Sequence, residues 1–203
     1  MTQIEKEVKA AIIDYQKGVH TGMMDELSEV KKLYQREGKT DAVLRVCVKG
    51  GHQRRLPNAQ VDDAIVALRQ FDFSEKFTNF EEVYDCVKKL IGNIPRIRGF
   101  LTLYDIARRL GHLLDVPVYP KNYVYVARGA RTGAKYVLGI KKMKREVFYL
   151  PITDFENLFP EISSMEIEDI LCIYFHDGKL KLSVGNAFSV KGCGKKTGRK
   201  IGC

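Results

Sequence analysis

The stretch TNFEEVYDCVKKLIGNIPRIRGFLTLYDIARRLGHLL, Thr78 to Leu114, decides how the rest of the chain is read. It predicts a helix, a tight turn and a second helix. Thr78 and Glu81 have the T-x-x-E spacing of a capping box, which satisfies the orphan N–H groups of a helix start. Val83, Val87, Leu90 and Ile91 then recur at helical spacing as one apolar stripe. Gly92 and Asn93 are expected to stop that helix in a left-handed cap. Pro95 and Gly99 bracket a short basic turn that carries Arg96 and Arg98. Thr102 and Asp105 offer a second capping pair. Leu103, Ile106, Leu110, Leu113 and Leu114 form a second stripe, and two stripes joined by so short a turn can bury each other.

This pattern resembles a helix-hairpin-helix DNA-binding unit. That family runs apolar residue, Pro, Gly, apolar residue, Gly, then a helix rich in small residues. Ile94, Pro95, Ile97 and Ala107 fit it, and Gly99 supplies one loop glycine. Arg96 and Arg98 stand where the family usually has glycines. The resemblance implies that backbone N–H groups of the loop and of the next helix start, around Gly99 and Thr102, hold a DNA phosphate. A helix start offers open donors and a positive dipole end, and arginines suit the same ligand. An ordinary αα-hairpin packed in a core carries the same two stripes. A second resemblance rests on LTLYDIARRLG, RTGAKYVLG and IEDILCIY. It is to a family of small, largely uncharacterised bacterial proteins, over about residues 80–174. It implies one domain there and brings no activity.

The 203 residues carry a formal net charge of +9. That excess favours polyanions, nucleic acid before an anionic membrane surface. No stretch approaches the length of a membrane helix, and the N-terminus has no secretory pattern, so a cytoplasmic location is expected. The five cysteines are odd in number and widely spaced, which argues against a disulfide scaffold. Cys47, Cys86 and Cys172 lie in apolar patterns and read as small buried hydrophobes. Cys193 and Cys203 lie in the basic tail. No C-x-x-C or H-x-x-x-H spacing occurs, so neither a metal nor another cofactor is expected.

Before the hairpin, Thr2–Gln16 predicts a helix ended by Gly18, and Met23–Arg36 a second one closed by Gly38. Together they suggest a helical hairpin. Thr40–Val48 fits a strand or a helix equally. KGGHQRR, residues 49–55, reads as a solvated loop, with phosphate contact as an alternative. Pro57 or Asn58 opens a further helix. Phe71, Phe73, Phe77 and Phe80 could stack on bases, but before a capped helix they are expected to enter the core.

After the hairpin, Asp115–Val126 reads as a short strand or extended connection. Arg128, Gly129, Arg131, Thr132 and Gly133 form a basic lead into a helix expected to begin near Thr132, again suited to phosphate. Lys141, Lys142, Lys144 and Arg145 form a basic cluster before a strand-like VFYL. Residues 151–160 suggest a short turn of helix. Ser163 and Glu166 predict a capping box, and Glu166, Glu168 and Asp169 are read as helix-dipole stabilisers. HDGKLKLSV, residues 176–184, suggests a hairpin-like strand pair. Residues 190–203 lack apolar periodicity and read as a basic, flexible tail.

The fold class that follows is α+β, mainly helical, with a central helix-hairpin-helix-like unit and a few short strands in the C-terminal half. The expected division is residues 1–76, 77–189 and 190–203. The expected function is non-catalytic DNA binding, to double-stranded DNA, through Arg96, Arg98, Gly99, Thr102, Arg128, Arg131, Lys141 and Lys142. A protein-interaction or inhibitor module is the alternative. A divergent DNA glycosylase or lyase using Asp105 or Asp115 is the third reading. Resemblance to the helix-hairpin-helix glycosylases would place a catalytic aspartate in a V-P-V-D context. This chain has Val116-Pro117-Val118-Tyr119, so no catalytic residue is assigned. The four histidines form no cluster in sequence.

Overall fold

Thr2 opens the first helix. Its hydroxyl accepts from the Glu5 N–H, and the Glu5 carboxylate accepts from the Thr2 N–H at 2.6 Å. This reciprocal capping box starts α1 (Gln3–Asp14). The computed structural model describes residues 1–182; the side chains at 19–23, 51–52 and 128 fall outside that description. Among the described residues are eight α-helices and one two-stranded antiparallel sheet, a mainly helical α+β fold. They gather into two compact units, residues 1–25 with 121–182, and Glu26–Pro120. The boundary at Asp25 falls within α2 (His20–Glu37).

Gly18 does not end α1. A π-helical turn, Tyr15–Val19, carries the chain into α2. A glycine inside a helix costs only about 1 kcal/mol relative to alanine, too little to end it alone. Gly38, with φ of 68°, does close α2.

In the unit Glu26–Pro120, Thr40 caps α3 (Asp41–Lys49) by accepting from the Val43 N–H. Thr40–Val48 is therefore helical, and it buries Val43, Leu44, Cys47 and Val48 at helical spacing. A 3-10 turn, Gly51–Arg55, leads to α4 (Asn58–Leu68). Phe71, Phe73 and Phe80 are buried, and Phe71 packs against Phe73 and Phe77.

The cap of α5 (Phe80–Ile91) lies one residue later than expected. Asn79 accepts from the Glu82 N–H, and the Glu82 carboxylate accepts from the Thr78 N–H and O–H. Asparagine caps at least as well as threonine, and this register buries Phe80. The left-handed residue after α5 is neither Gly92 nor Asn93. Gly92 is right-handed, and Arg96 has φ of 67°. Gly99 has φ of −67° and ψ of 135° and caps α6 (Phe100–Leu113) without any side-chain bond. Thr102 and Asp105 therefore lie inside α6, and their expected capping pair does not form. The Leu103 N–H already reaches the Gly99 carbonyl at 3.1 Å, which sets the helix start earlier. The apolar stripes of α5 and α6 pack together, with Val83, Val87, Ile91, Leu103, Ile106 and Leu110 buried.

In the other unit, β1 (Tyr123–Tyr125) pairs with β2 (Tyr149–Pro151), with Tyr125 opposite Tyr149 and Val124 opposite Leu150. A 3-10 turn, Ile152–Asp154, follows β2. α7 (Arg128–Val137) begins four residues before the expected Thr132. Gly129 and Gly133 are thus one turn apart inside a helix, and their place is explained by α8 (Ser164–Tyr174). A Cβ on Gly133 would stand 2.5 Å from the Leu171 carbonyl oxygen, and one on Gly129 would stand 3.1 Å from the Cys172 sulfur. The two glycines let α7 approach the backbone of α8. The Ser163–Glu166 capping box forms as expected. Asp169 and Glu168 are buried, not dipole-facing surface charges. Asp169 accepts from the Tyr15 hydroxyl, while Tyr174 donates to Asp14 and Tyr136 to Glu7. These bonds tie the N-terminal helix to α7 and α8. Residues 176–182 turn at Gly178 without a strand. The rest of the expected strand pair, Cys193, Cys203 and the tail 190–203 lie outside the described residues.

Gly133→Ala should destabilise the protein by about 1–3 kcal/mol through overpacking against α8. Gly18→Ala, whose Cβ would meet nothing within 4 Å, should leave the melting temperature unchanged or raise it. Thermal unfolding by circular dichroism reads both. An unaltered melting temperature in Gly133→Ala would contradict the close α7–α8 approach.

Candidate nucleic-acid interface

Between α5 and α6 the chain makes one tight turn. The Ile97 and Arg98 N–H groups both donate to the Ile94 carbonyl, at 3.2 and 3.1 Å. Ile97 is fully buried, and Arg96 and Arg98, on either side of it, are exposed. Gly99 is exposed and Thr102 half-buried. The first N–H groups of a helix have no partner within it, and α6 has no side-chain cap at Gly99. Two guanidinium groups thus precede a positive helix end in the same turn.

Further along α6 the chemistry turns inward. Arg109 is buried. Its guanidinium donates to the Glu26 carboxylate at 3.2 and 3.3 Å, to the Cys47 carbonyl at 3.1 Å and to the Gln53 side-chain oxygen at 3.2 Å. Gln53 also donates to the Asp105 carboxylate. Gly50 leaves the room this needs, since a Cβ there would stand 2.7 Å from Arg109 Nε. The 49–55 segment is therefore partly a structural clasp and not a wholly solvated loop, although Arg54 and Arg55 are exposed. The signal in the sequence was an arginine at position 109, on the face that also carries Ile106 and Leu113.

The position where the glycosylase resemblance would place a carboxylate holds Tyr119, hydrogen-bonded to His112 Nδ1. His112 is 8% exposed, and its Nε2 is buried with no partner among the described residues. Burial first, then the charges of Lys31 and Arg108, hold the His112 pKa below the ordinary range. Burial pushes the Tyr119 hydroxyl up, with Arg108 opposing. Asp115 is exposed.

The remaining expected contacts belong to the other unit. Arg128 is the first residue of α7, and its side chain is outside the description. Arg131 donates to the carbonyls of Lys144 and Val147 and lies 5.8 Å from the Phe148 ring centroid. Its guanidinium fixes the loop after α7. Lys141 and Lys142, in that loop, are exposed. Among the described residues, no group of three His, Cys, Asp or Glu side chains could hold a metal ion, and no helix is long and apolar enough to cross a membrane. Cys47 is buried, and burial pushes its thiol up to about 12; Cys86 and Cys172 are only partly buried.

Comparison with known proteins adds little. No family model matches the chain, and no solved structure matches it. It is 32% identical over 91 residues to the alpha-1,3-mannosyl-glycoprotein 4-beta-N-acetylglucosaminyltransferase B of Danio rerio, covering 45% of this chain. The match spans only 16% of that protein's length, which fixes no family.

The lowered His112 pKa has a definite sign. The unfolded chain binds a proton near its ordinary value of 6.5, and the folded chain resists it. Stability is therefore complete above that pH and declines as pH falls below it. His112→Gln should flatten the decline between about pH 7 and pH 5 in urea-unfolding midpoints. An unchanged pH dependence would contradict the assignment.

Proposed function

We propose that this protein binds double-stranded DNA without catalysis, using the turn between α5 and α6 to hold a backbone phosphate. The observation that carries the reading is the turn itself. Ile97 is buried as its anchor, Arg96 and Arg98 are exposed on both sides, and the start of α6, where Gly99 brings no side-chain cap, follows directly. Arg96 adopts a left-handed φ of 67° at a position where the helix-hairpin-helix family usually has glycine. That supports the proposed likeness in backbone even where the residue differs. The net charge of +9 suits the ligand. Gly99 and Thr102 contribute backbone donors at the helix start, and Lys141 and Lys142 add phosphate contacts in their own unit. Arg131 acts through the loop it holds. The non-catalytic part rests on Tyr119 and on Asp105, whose carboxylate is engaged by Gln53.

Arg96→Gly combined with Arg98→Ala removes both charges and eases the left-handed backbone. The melting temperature should hold or rise. Binding to a labelled duplex, followed by fluorescence anisotropy across salt concentrations, should weaken for every sequence. The salt slope should flatten by about 1.8, since each phosphate no longer neutralised removes about 0.9. Wild-type affinity and slope in the folded variant would move the reading to a protein-interaction module.

A further inference from the structure

The sheet of the Lys121-containing unit presents aromatic rings to solvent. Tyr149 is 53% exposed and Phe148 is 40% exposed. Large aromatic side chains usually contribute their area to a core, so two adjacent exposed ones need an explanation. Tyr149 does not stand alone. Its ring centroid lies 4.9 Å from that of Tyr123 and 6.0 Å from that of Tyr125, and strand pairing sets Tyr125 directly opposite it. Cross-strand aromatic contacts of this kind stabilise a sheet, so Tyr149 is braced by two rings of the neighbouring strand and still half exposed.

The segment leading into these rings is IKKMKREV, residues 140–147. Lys141, Lys142, Lys144 and Arg145 are exposed there, against a single acid, Glu146. Arg131 bonds two carbonyls of this loop and lies over Phe148, which fixes the loop's course beside the strand. A run of cations adjoining braced, exposed rings has the two parts that a single nucleic-acid strand requires. The charges follow the phosphates, and the rings stack on unpaired bases. A duplex keeps its bases stacked inside and offers nothing for Tyr149 to stack on.

We propose that the β1–β2 sheet and the loop before it bind single-stranded nucleic acid, with Tyr149 stacking on a base and Lys141 and Lys142 contacting phosphates. This rests on the reading above in one respect, that those lysines meet phosphates. It adds the form of the ligand. The aromatic residues concerned are not Phe71, Phe73 and Phe80, which are buried in the core.

The test is anisotropy with a labelled oligo(dT) and, in parallel, with a duplex of equal length. Tyr149→Ala should weaken oligo(dT) binding roughly 5- to 150-fold and leave duplex binding unchanged. Tyr149→Leu keeps apolar bulk on the sheet and should show the same loss, while Tyr149→Phe should bind as wild type. Lys141→Ala with Lys142→Ala, both on the surface, should flatten the oligo(dT) salt slope by about 1.4. The Arg96→Gly, Arg98→Ala variant should retain oligo(dT) binding, so failure of the hairpin reading and failure of this one are seen separately. Wild-type oligo(dT) affinity in folded Tyr149→Leu, an equal loss on duplex and single strand, or no oligo(dT) binding by the wild type would each overturn the proposal.

Discussion

Burial of Ile97 is the constraint on which the α5–α6 unit depends. Few residues separate Ile91, the last of α5, from Phe100, the first of α6. Within them the chain must reverse and still place one side chain in the core. It does so with Ile97, and Arg96, just before it, takes a left-handed conformation that costs a non-glycine residue about 1–2 kcal/mol. The burial of an isoleucine contributes about 1.5–3 kcal/mol, enough to hold that strain. Once Ile97 points inward, its neighbours point out. The exposure of Arg96 and Arg98 thus follows from packing, independent of any ligand.

The second theme is the use of buried polar groups as fasteners. Arg109 joins α2, α3, the 49–55 segment and α6 within one unit, and tyrosine–carboxylate bonds join α1 to α7 and α8 within the other. Buried charges are costly unless paired and hydrogen-bonded. Each of these groups has partners, which offsets that cost. A consequence for function is that basic residues here are of two kinds. Arg109 and Arg131 are committed to the protein's own carbonyls and carboxylates. Arg96, Arg98, Lys141 and Lys142 lie at the surface.

Periodicity makes much of this legible in the sequence. The apolar stripes at Val83–Ile91 and Leu103–Leu113, the boundary at Gly38, the Ser163 capping box and the buried phenylalanines all depend on local spacing, which a single sequence displays. What the sequence hides depends on contacts between distant segments. Nothing local distinguishes Gly133 in a phosphate-binding lead from Gly133 pressed against Leu171. Nothing near Met1–Asp25 announces that it packs with residues beyond 121. The α5 cap shifts by a residue because adjacent good capping residues, Thr78 and Asn79, compete within a fraction of a kcal/mol. The conformation of Gly99 is not legible because glycine permits a positive φ without requiring one. Tyr149 gives no signal because a strand residue's exposure depends on what packs over its face of the sheet, and Tyr125 directly opposite is buried.

The most direct measurement of the central claim is an amide chemical-shift titration of the labelled protein with a short DNA duplex. A phosphate seated at the start of α6 predicts saturable shifts for the backbone N–H groups of residues 96–102, together with the side-chain Nε–H signals of Arg96 and Arg98. The buried Arg109 signal, already bonded to Glu26 and Gln53, should stay in place. Saturable duplex binding that leaves residues 96–102 unmoved would contradict the account.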